Sequence, residues 1–356
     1  MFKAQLIGID IGSSAIKVVE TSRHNSSKIL HLGYERLHPE VVVNGAINQR
    51  EQFTESLQRA IKKSKTNTTG KRAALSLGGS SVIIKKLDVD QKTNKADLAD
   101  QVFYEAQQHF AEDFDNTYYT YFKMNPISNH AASCPLLLIG AKSEIIEDYI
   151  SAIHDVGLKV GLIDCQVFSV YNAFEFTMGI FDSLIALINV GASSTQVSLI
   201  MGGSLLYTRD ISIGGNEYSN RLSDALRMSQ EQADIKKINI SSGREPNTDA
   251  LQNIFTELND QLVTEIKMTL DFFFQSGEAP IEVGPLSGAF VVGGGAKTLG
   301  LDAAIAAILQ VPVRLVDLLS RFDLSKTKGN FSETNNNSMI FGVGAGLAMR
   351  KFGDAE

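Results

Sequence analysis

The segment QLIGIDIGSSAIK at Gln5 to Lys17 returns about 180 residues later as LIALINVGASSTQ at Leu184 to Gln196. Each copy is an apolar run that ends in a short glycine-serine turn and continues into further β-rich runs. In the first copy the pattern predicts strands at Gln5 to Ile9, Ala15 to Thr21 and Ile29 to Arg36, a helix over Arg50 to Lys63 and a strand at Ala73 to Leu77. In the second the strands fall at Leu184 to Val190, Gln196 to Met201 and Leu205 to Ile211. Two copies so widely spaced do not make a solenoid. They predict an α/β fold of two related lobes that face each other across a ligand cleft.

The rest of the chain reads as two inserts and a closing segment. Residues 82–160 carry the strand VIIKKLDV, a helix near Ala96 to Phe110 with Leu98, Val102, Ala106 and Phe110 on one face, a strand at Pro135 to Gly140 and a helix at Ser143 to Val156. Glu217 to Asp271 is mostly helical. VVGGGAKTLGL at Val291 to Leu301 reads as a strand, a triple-glycine turn and the start of a helix, and SKTKGNFSETNNNS at Ser325 to Ser338 as a mobile loop. Gly342, Gly344 and Gly346 predict a helix packed closely on neighbouring backbone.

Composition narrows the function classes. A chain of 356 residues, 44% apolar, fills two sizeable cores. With 33 basic against 40 acidic residues it has no general attraction for nucleic acid. Cys134 and Cys165 alone supply neither a disulfide framework nor a zinc site, and fit a reducing cytosol. The N-terminus lacks a signal peptide's apolar core, and Met339 to Met349 is too short to span a bilayer. Lys62, Lys63, Lys65, Lys71 and Arg72 surround TNTTG as either a solvated loop or a surface for acidic lipid or a partner.

The chemistry lies in the glycine turns. Gly12-Ser13-Ser14 and Gly191-Ala192-Ser193-Ser194 let successive backbone N–H groups converge into nests for phosphate oxygens. Gly293-Gly294-Gly295, with Lys297 just beyond, lets backbone pass beneath a ribose and α-phosphate. No GKS or GKT follows, so this is not a P-loop, and it is not the dinucleotide fingerprint. Asp10, at a strand end beside the first turn, is placed to bind waters of a Mg²⁺ bridging the phosphates. Lys17 either neutralises phosphate or faces solvent.

The order of these parts resembles the actin-like ATPase superfamily, with DIGSS, LIDCQVFSVYNAF, NVGASS and VVGGGAKTLGL as phosphate 1, connect 1, phosphate 2 and adenosine motifs. Eight ordered segments make the chain similar to the type IV pilus assembly protein PilM family over nearly its whole length: IGIDIGSSAIKVVE, GAINQ, SSVIIKKLDV, IDCQVFSVYNAF, the phosphate 2 region through TRDISIGGNEYS, GGGAKTLGLDAAI, QVPV and GAGLAMRKF. The resemblance implies an actin-like (ribonuclease H-like) bilobed fold with two duplicated β-β-β-α-β-α cores. Residues 1–81 with 161–181 then form subdomain 1A, 82–160 an FtsA-type 1C insert, 182–216 with 286–356 subdomain 2A, and 217–285 a helical 2B.

It also implies ATP or ADP with Mg²⁺, and a cytoplasmic scaffold at the inner face of the bacterial inner membrane. Its partner is then the N-terminal cytoplasmic tail of a PilN-like membrane protein, held between 1A and 1C without direct membrane insertion. Self-association into a ring and contact with pilus motor ATPases stay open. By the same resemblance Gly214, Gly215 and Glu217 line the adenosine pocket and Lys236 approaches the base.

Two positions depart from the pattern: Asn189 stands where phosphate 2 usually has aspartate, and Gln166 where many PilM-like chains have glutamate. Gln166 is the candidate for orienting the attacking water, unless it only packs at the hinge, with Asp164 as fallback. Asp10 is the other catalytic candidate. Asp10 and, more weakly, Asn189 would reach the metal through water. Losing one carboxylate weakens metal chemistry more than a grip made by backbone amides, so binding is expected to outlast fast hydrolysis. A small-molecule kinase of this fold is the main alternative, but its acceptor space is taken here by the 1C-like insert. An FtsA-like filament-forming division protein would need a terminal amphipathic helix, which KFGDAE does not supply.

Overall fold

The computed structural model describes residues 5–90, 92–124, 133–276, 279, 283–334 and 337–353. The first core opens with an antiparallel meander, β1 (Gln5–Ile11), β2 (Ala15–Ser22) and β3 (Asn25–Arg36). A small hairpin follows, β4 (Val42–Val43) and β5 (Ala46–Ile47), then α1 (Arg50–Ser64) and β6 (Lys71–Leu77). The insert comprises β7 (Val82–Asp90), α2 (Lys95–Phe110), β8 (Thr117–Lys123), β9 (Ser133–Lys142) and α3 (Ser143–Asp155). The chain re-enters the first core through β10 (Lys159–Cys165) and α4 (Gln166–Met178).

The second core repeats the meander as β11 (Ile185–Val190), β12 (Thr195–Met201) and β13 (Ser204–Ile211). Helices α5 (Gly215–Leu226), α6 (Gln230–Ser241) and α7 (Asp249–Gln275) lead to β14 (Gly288–Val292), α8 (Leu301–Leu309) and β15 (Val313–Leu315), and β16 (Lys328–Gly329) and α9 (Gly342–Met349) close the chain.

Strand order makes the duplication visible in the backbone. The first sheet runs β10-β6-β1-β2-β3-β16 and the second β15-β14-β11-β12-β13. β1 and β11 are each antiparallel to the next strand and parallel to the one reached after the helices. Both are buried on two faces, which is why they read as continuous apolar runs rather than alternating ones. Ile7 and Ile9 pack with Phe53, Leu57 and Ala60, the apolar stripe of α1.

Between the sheets, α4 and α9 bring Val167, Val170, Phe174 and Val343 against Leu187 and Phe290 of the second core. The expected close approach of α9 is observed: a Cβ on Gly8 would lie 2.2 Å from the Gly344 carbonyl oxygen, and one on Gly346 1.8 Å from that of Ser169. In the insert, the order is β7-β9-β8, and α2 sets Leu98, Val102, Ala106 and Phe110 against Leu136 and Leu138. Asn94 caps α2, its side-chain oxygen accepting from the Ala96 and Asp97 amides at 3.0 Å each.

Three expectations change. The polar stretch Ser325 to Ser338, read as a mobile loop, supplies β16, which pairs with His31 and Leu32 of β3. The Asn330 side chain accepts from the Tyr34 amide at 2.9 Å and donates to the Tyr34 carbonyl at 2.8 Å; Asn335 and Asn336 lie outside the described residues. Residues 286–356 therefore do not all belong to the second lobe, because β16 edges the first sheet and α9 packs on β1 and β2. The triple glycine does not open a helix: residues 293–300 form successive turns, and α8 starts only at Leu301. Gly293, at φ +92°, diverts the chain from a helical path.

The basic cluster is dispersed among separate partners. Lys63 pairs with Glu35 and Glu333, Lys71 with buried Glu20, and Arg72 lies over the Phe352 ring, so these three do not form one basic face. Among the described residues no helix is long and apolar enough to cross a membrane.

Candidate functional site

The two glycine turns occupy equivalent places and line one cavity from opposite lobes. In the first, the Gly12 amide donates to the Ala15 carbonyl at 3.1 Å; in the second, Gly191 donates to Ser194 at 2.9 Å. Among the described residues, the amides of Ser13, Ser14, Ala192 and Ser193 have no backbone hydrogen-bond partner. The turns themselves carry only glycine, alanine and serine, which leaves room for the approach of an anion to these donors, the arrangement that receives phosphate oxygens.

Behind the turns the side chains differ. Asp10 is 4% exposed and lies opposite Lys17 in the ladder, with Lys17 Nζ 3.1 Å from Asp10 Oδ2. Lys17 thus lines the cleft rather than facing bulk solvent. In the second lobe Asn189 lies opposite Gln196, and Gln196 opposite Asp210, its Nε2 donating to Asp210 Oδ1 at 3.2 Å. The cross-strand row Asp10, Lys17, Tyr34 is matched by Asn189, Gln196, Asp210. Burial raises the Asp210 carboxyl above its ordinary range, against the lowering hydrogen bond from Gln196.

Gly293 closes the floor beneath the second turn. A Cβ there would lie 2.5 Å from both Asn189 Oδ1 and the Val190 carbonyl oxygen, so only glycine fits. Gly294 lines both this cavity and an adjoining outer one of about 600 Å³, while Gly295, Lys297 and Gly215 line the outer one. That volume is in the range of small-molecule sites. Gly214 instead packs beneath the second turn, where a Cβ would meet the Ala192 carbonyl oxygen at 2.6 Å. The Gly215 and Asn216 amides donate to the carbonyls of Gly191 and Ala192 at 2.9 and 2.7 Å, tying the start of α5 to that turn.

Some expected residues are not brought to the cleft. Glu217 points outward from the exposed side of α5. Lys236 pairs with Glu245 at 2.9 Å, while Lys237, about 100° further round α6, lines the outer cavity. Lys237 Nζ donates to the Gly215 carbonyl at 2.8 Å and lies 2.7 Å from Asp234 Oδ1. Asp164 is no fallback for catalysis: its carboxylate accepts from Arg350 Nη1 at 2.6 Å and from the Cys165 amide at 2.8 Å, and it does not line the cleft.

Gln166, the first residue of α4, does line the inner cavity, and a Cβ on Gly78 would touch its Oε1 at 2.2 Å. It also lines a third cavity, about 320 Å³, between the end of β6, the start of β7 and α4. Gln196 and Asp210 border the same two cavities. Cys165, beside Gln166, is held as a thiol, pushed up to about 12 by burial, then by Asp164, against a lowering effect of Arg350.

Asp210 and Gln196 were not among the expected residues, because only the cross-strand register sets them beside Asn189. Also unexpected is an ion pair across the cleft mouth between Arg36, at the end of β3, and Asp234 in α6. Burial alone would raise Asp234, but Lys237, then Arg36 and Ser219, outweigh it and hold the carboxyl below its ordinary range.

A family model described as Type IV pilus assembly protein PilM matches residues 8–352. Among solved structures, the chain is similar to one titled PilM-PilN type IV pilus biogenesis complex, with a TM-score of 0.83 at 19% identity over 98% of this chain and 99% of that one. Ethanolamine utilization protein EutJ from Carboxydothermus hydrogenoformans aligns with a TM-score of 0.58 at 14% identity, covering 99% of this chain and 91% of that one. MreB 5 of Spiroplasma citri bound to AMPPNP aligns with a TM-score of 0.53 at 13% identity, covering 94% and 98%. These likenesses show an actin-like bilobed fold.

Proposed function

The chain belongs to the type IV pilus assembly protein PilM family, and on that premise we propose that it is a nucleotide-binding scaffold of a pilus assembly platform. Its place is the inner face of the bacterial inner membrane, and its partner the N-terminal cytoplasmic tail of a PilN-like membrane protein. One observation carries the reading: two turns with open amide donors face each other across one cavity, with a nucleoside-sized cavity adjoining. The amides of Ser13, Ser14, Ala192 and Ser193 would hold the phosphates of ATP or ADP, and the outer cavity, beside Gly215, Lys237, Gly294 and Gly295, the ribose and base. The AMPPNP of the MreB 5 neighbour supports a nucleotide there.

Mg²⁺ would be held with the phosphates by Asp10 and, more weakly, Asn189 through water, and would supply charge neutralisation. Lys17 fixes Asp10 at the junction of the two cavities. Asn189 and Gln196 are neutral where the first lobe has Asp10 and Lys17, so nucleotide is gripped while hydrolysis stays slow and switch-like.

The PilN partner of the structural neighbour supports a similar tail on this chain. A groove between the first core and the insert would receive it, where the third cavity shares Gln166, Gln196 and Asp210 with the nucleotide cavity. Shared walls give nucleotide state a route to tail affinity. The test is a calorimetric titration with a synthetic PilN-type tail, with and without MgATP. One-to-one binding is expected. No binding in either state, together with phosphate transfer to a sugar, would replace this reading with the kinase one.

A further inference from the structure

A group that takes a proton from the attacking water speeds hydrolysis. Gln166 is an amide, and Asp10 is ion-paired with Lys17, so neither is suited to that step. We propose that Asp210 is the general base of nucleotide hydrolysis, a carboxylate supplied from β13 in place of the one absent at position 189. The inference rests on the nucleotide reading above.

Three observations carry it. The register Asn189, Gln196, Asp210 runs straight across the second meander, so the carboxylate stands in the same row as the phosphate clamp. Asp210 and Gln166 reach the same two cavities from opposite lobes, which places an acceptor and a water-orienting amide around one space. Finally, Gln196 orients the carboxylate by donating to Oδ1, and the Asp210 side chain is exposed at the cavity wall, so a water can reach it. The raised carboxyl works in the same direction, since a stronger base nearer neutral pH accepts a proton more readily.

In the step, the water oxygen bonds to the terminal phosphorus of the nucleoside triphosphate. The bond from that phosphorus to the bridging oxygen breaks, and its electron pair leaves on the diphosphate. One water proton passes to Asp210 Oδ2 while Gln166 holds the water in line. Asp210 then returns its proton to solvent.

The titratable and charged groups bordering the two cavities with Asp210 are Asp10, Lys17, Tyr149, Cys165 and Lys85. On the opposite face of β13, Arg209 is engaged with Glu265 of α7.

The experiment compares the native chain with D210N by calorimetric MgATP binding, phosphate release against pH, and carbon-detected NMR titration of carboxyls without nucleotide. D210N is expected to keep its affinity within about threefold and to lose about 100-fold in turnover. It should also lose one carboxyl resonance that titrates above the ordinary aspartate value of 3.8. In the native chain the rate should rise with pH through that same titration. Unchanged D210N turnover, a flat native profile, or native binding with no turnover at all overturns the assignment. A native chain that binds no nucleotide overturns the underlying reading instead.

Discussion

The two glycine clamps share a backbone and differ in nearly everything attached to it. The first carries a buried ion pair, Asp10 with Lys17, and the second the neutral pair Asn189 and Gln196 at matched register. Two residues before Asp10 the chain has Gly8, which admits α9; two before Asn189 it has Leu187, which fills the core between the lobes. The turn geometry, to which the proposed function assigns phosphate grip, is copied intact; the side chains to which it assigns metal and proton chemistry have diverged.

The comparison is broken most severely by giving the first strand the second strand's residue. Gly8→Leu places carbon against the Gly344 carbonyl, 2.2 Å from the ideal Cβ, and is expected to destabilise by about 3 kcal/mol or more. A denaturant midpoint equal to the native one would contradict the docking of α9. Next, Asp10→Asn makes both clamps neutral and leaves Lys17 without its partner. MgATP affinity should fall about 30-fold, roughly 2 kcal/mol, and the loss should shrink in EDTA. Equal affinities in titrations of both proteins would mean that the charge asymmetry has no bearing on binding.

The reverse change sharpens the comparison. Asn189→Asp is isosteric and fits the space beside Gly293, so affinity should stay within about threefold while turnover rises about tenfold. Phosphate release measured on both proteins decides it, and an unchanged rate would move the limiting factor away from position 189. The smallest effect is expected at the cleft mouth, where Arg36→Ala removes a partly exposed pair and weakens nucleotide affinity about threefold at most. Asp234 is held below its ordinary value of 3.8, so the pair contributes stability above that value and loses it as pH falls through the folded-state pKa. The difference in melting temperature between R36A and native chain should therefore be flat over about pH 6 to 8 and vanish in acid.

The duplicated meanders were legible because strands buried on both faces leave apolar runs, and because tight turns between them demand small residues. The edge strand β16 was not, since its pairing with His31 and Leu32 uses backbone groups that polar side chains neither advertise nor prevent. The triple glycine marked the right place but not the path: left-handed backbone at Gly293 and Gly300 delays α8 to Leu301. In the site, the glycine turns were read from local pattern and Gln166 from the resemblance, and all of them line one cavity. Lys236 was named by the resemblance; the structure turns Lys237, the next residue, toward the outer cavity, a helix phase that the evenly polar α6 does not display in sequence. Asp210 escaped because its significance lies in cross-strand register two strands away from Asn189, which linear order does not display.

The central claim, that this chain holds nucleotide firmly and hydrolyses it slowly, is tested most directly by following MgATP binding and phosphate release in one sample of the native protein. Micromolar or tighter binding with about one turnover per minute or less is expected. No detectable binding, or turnover of many per second, would contradict it.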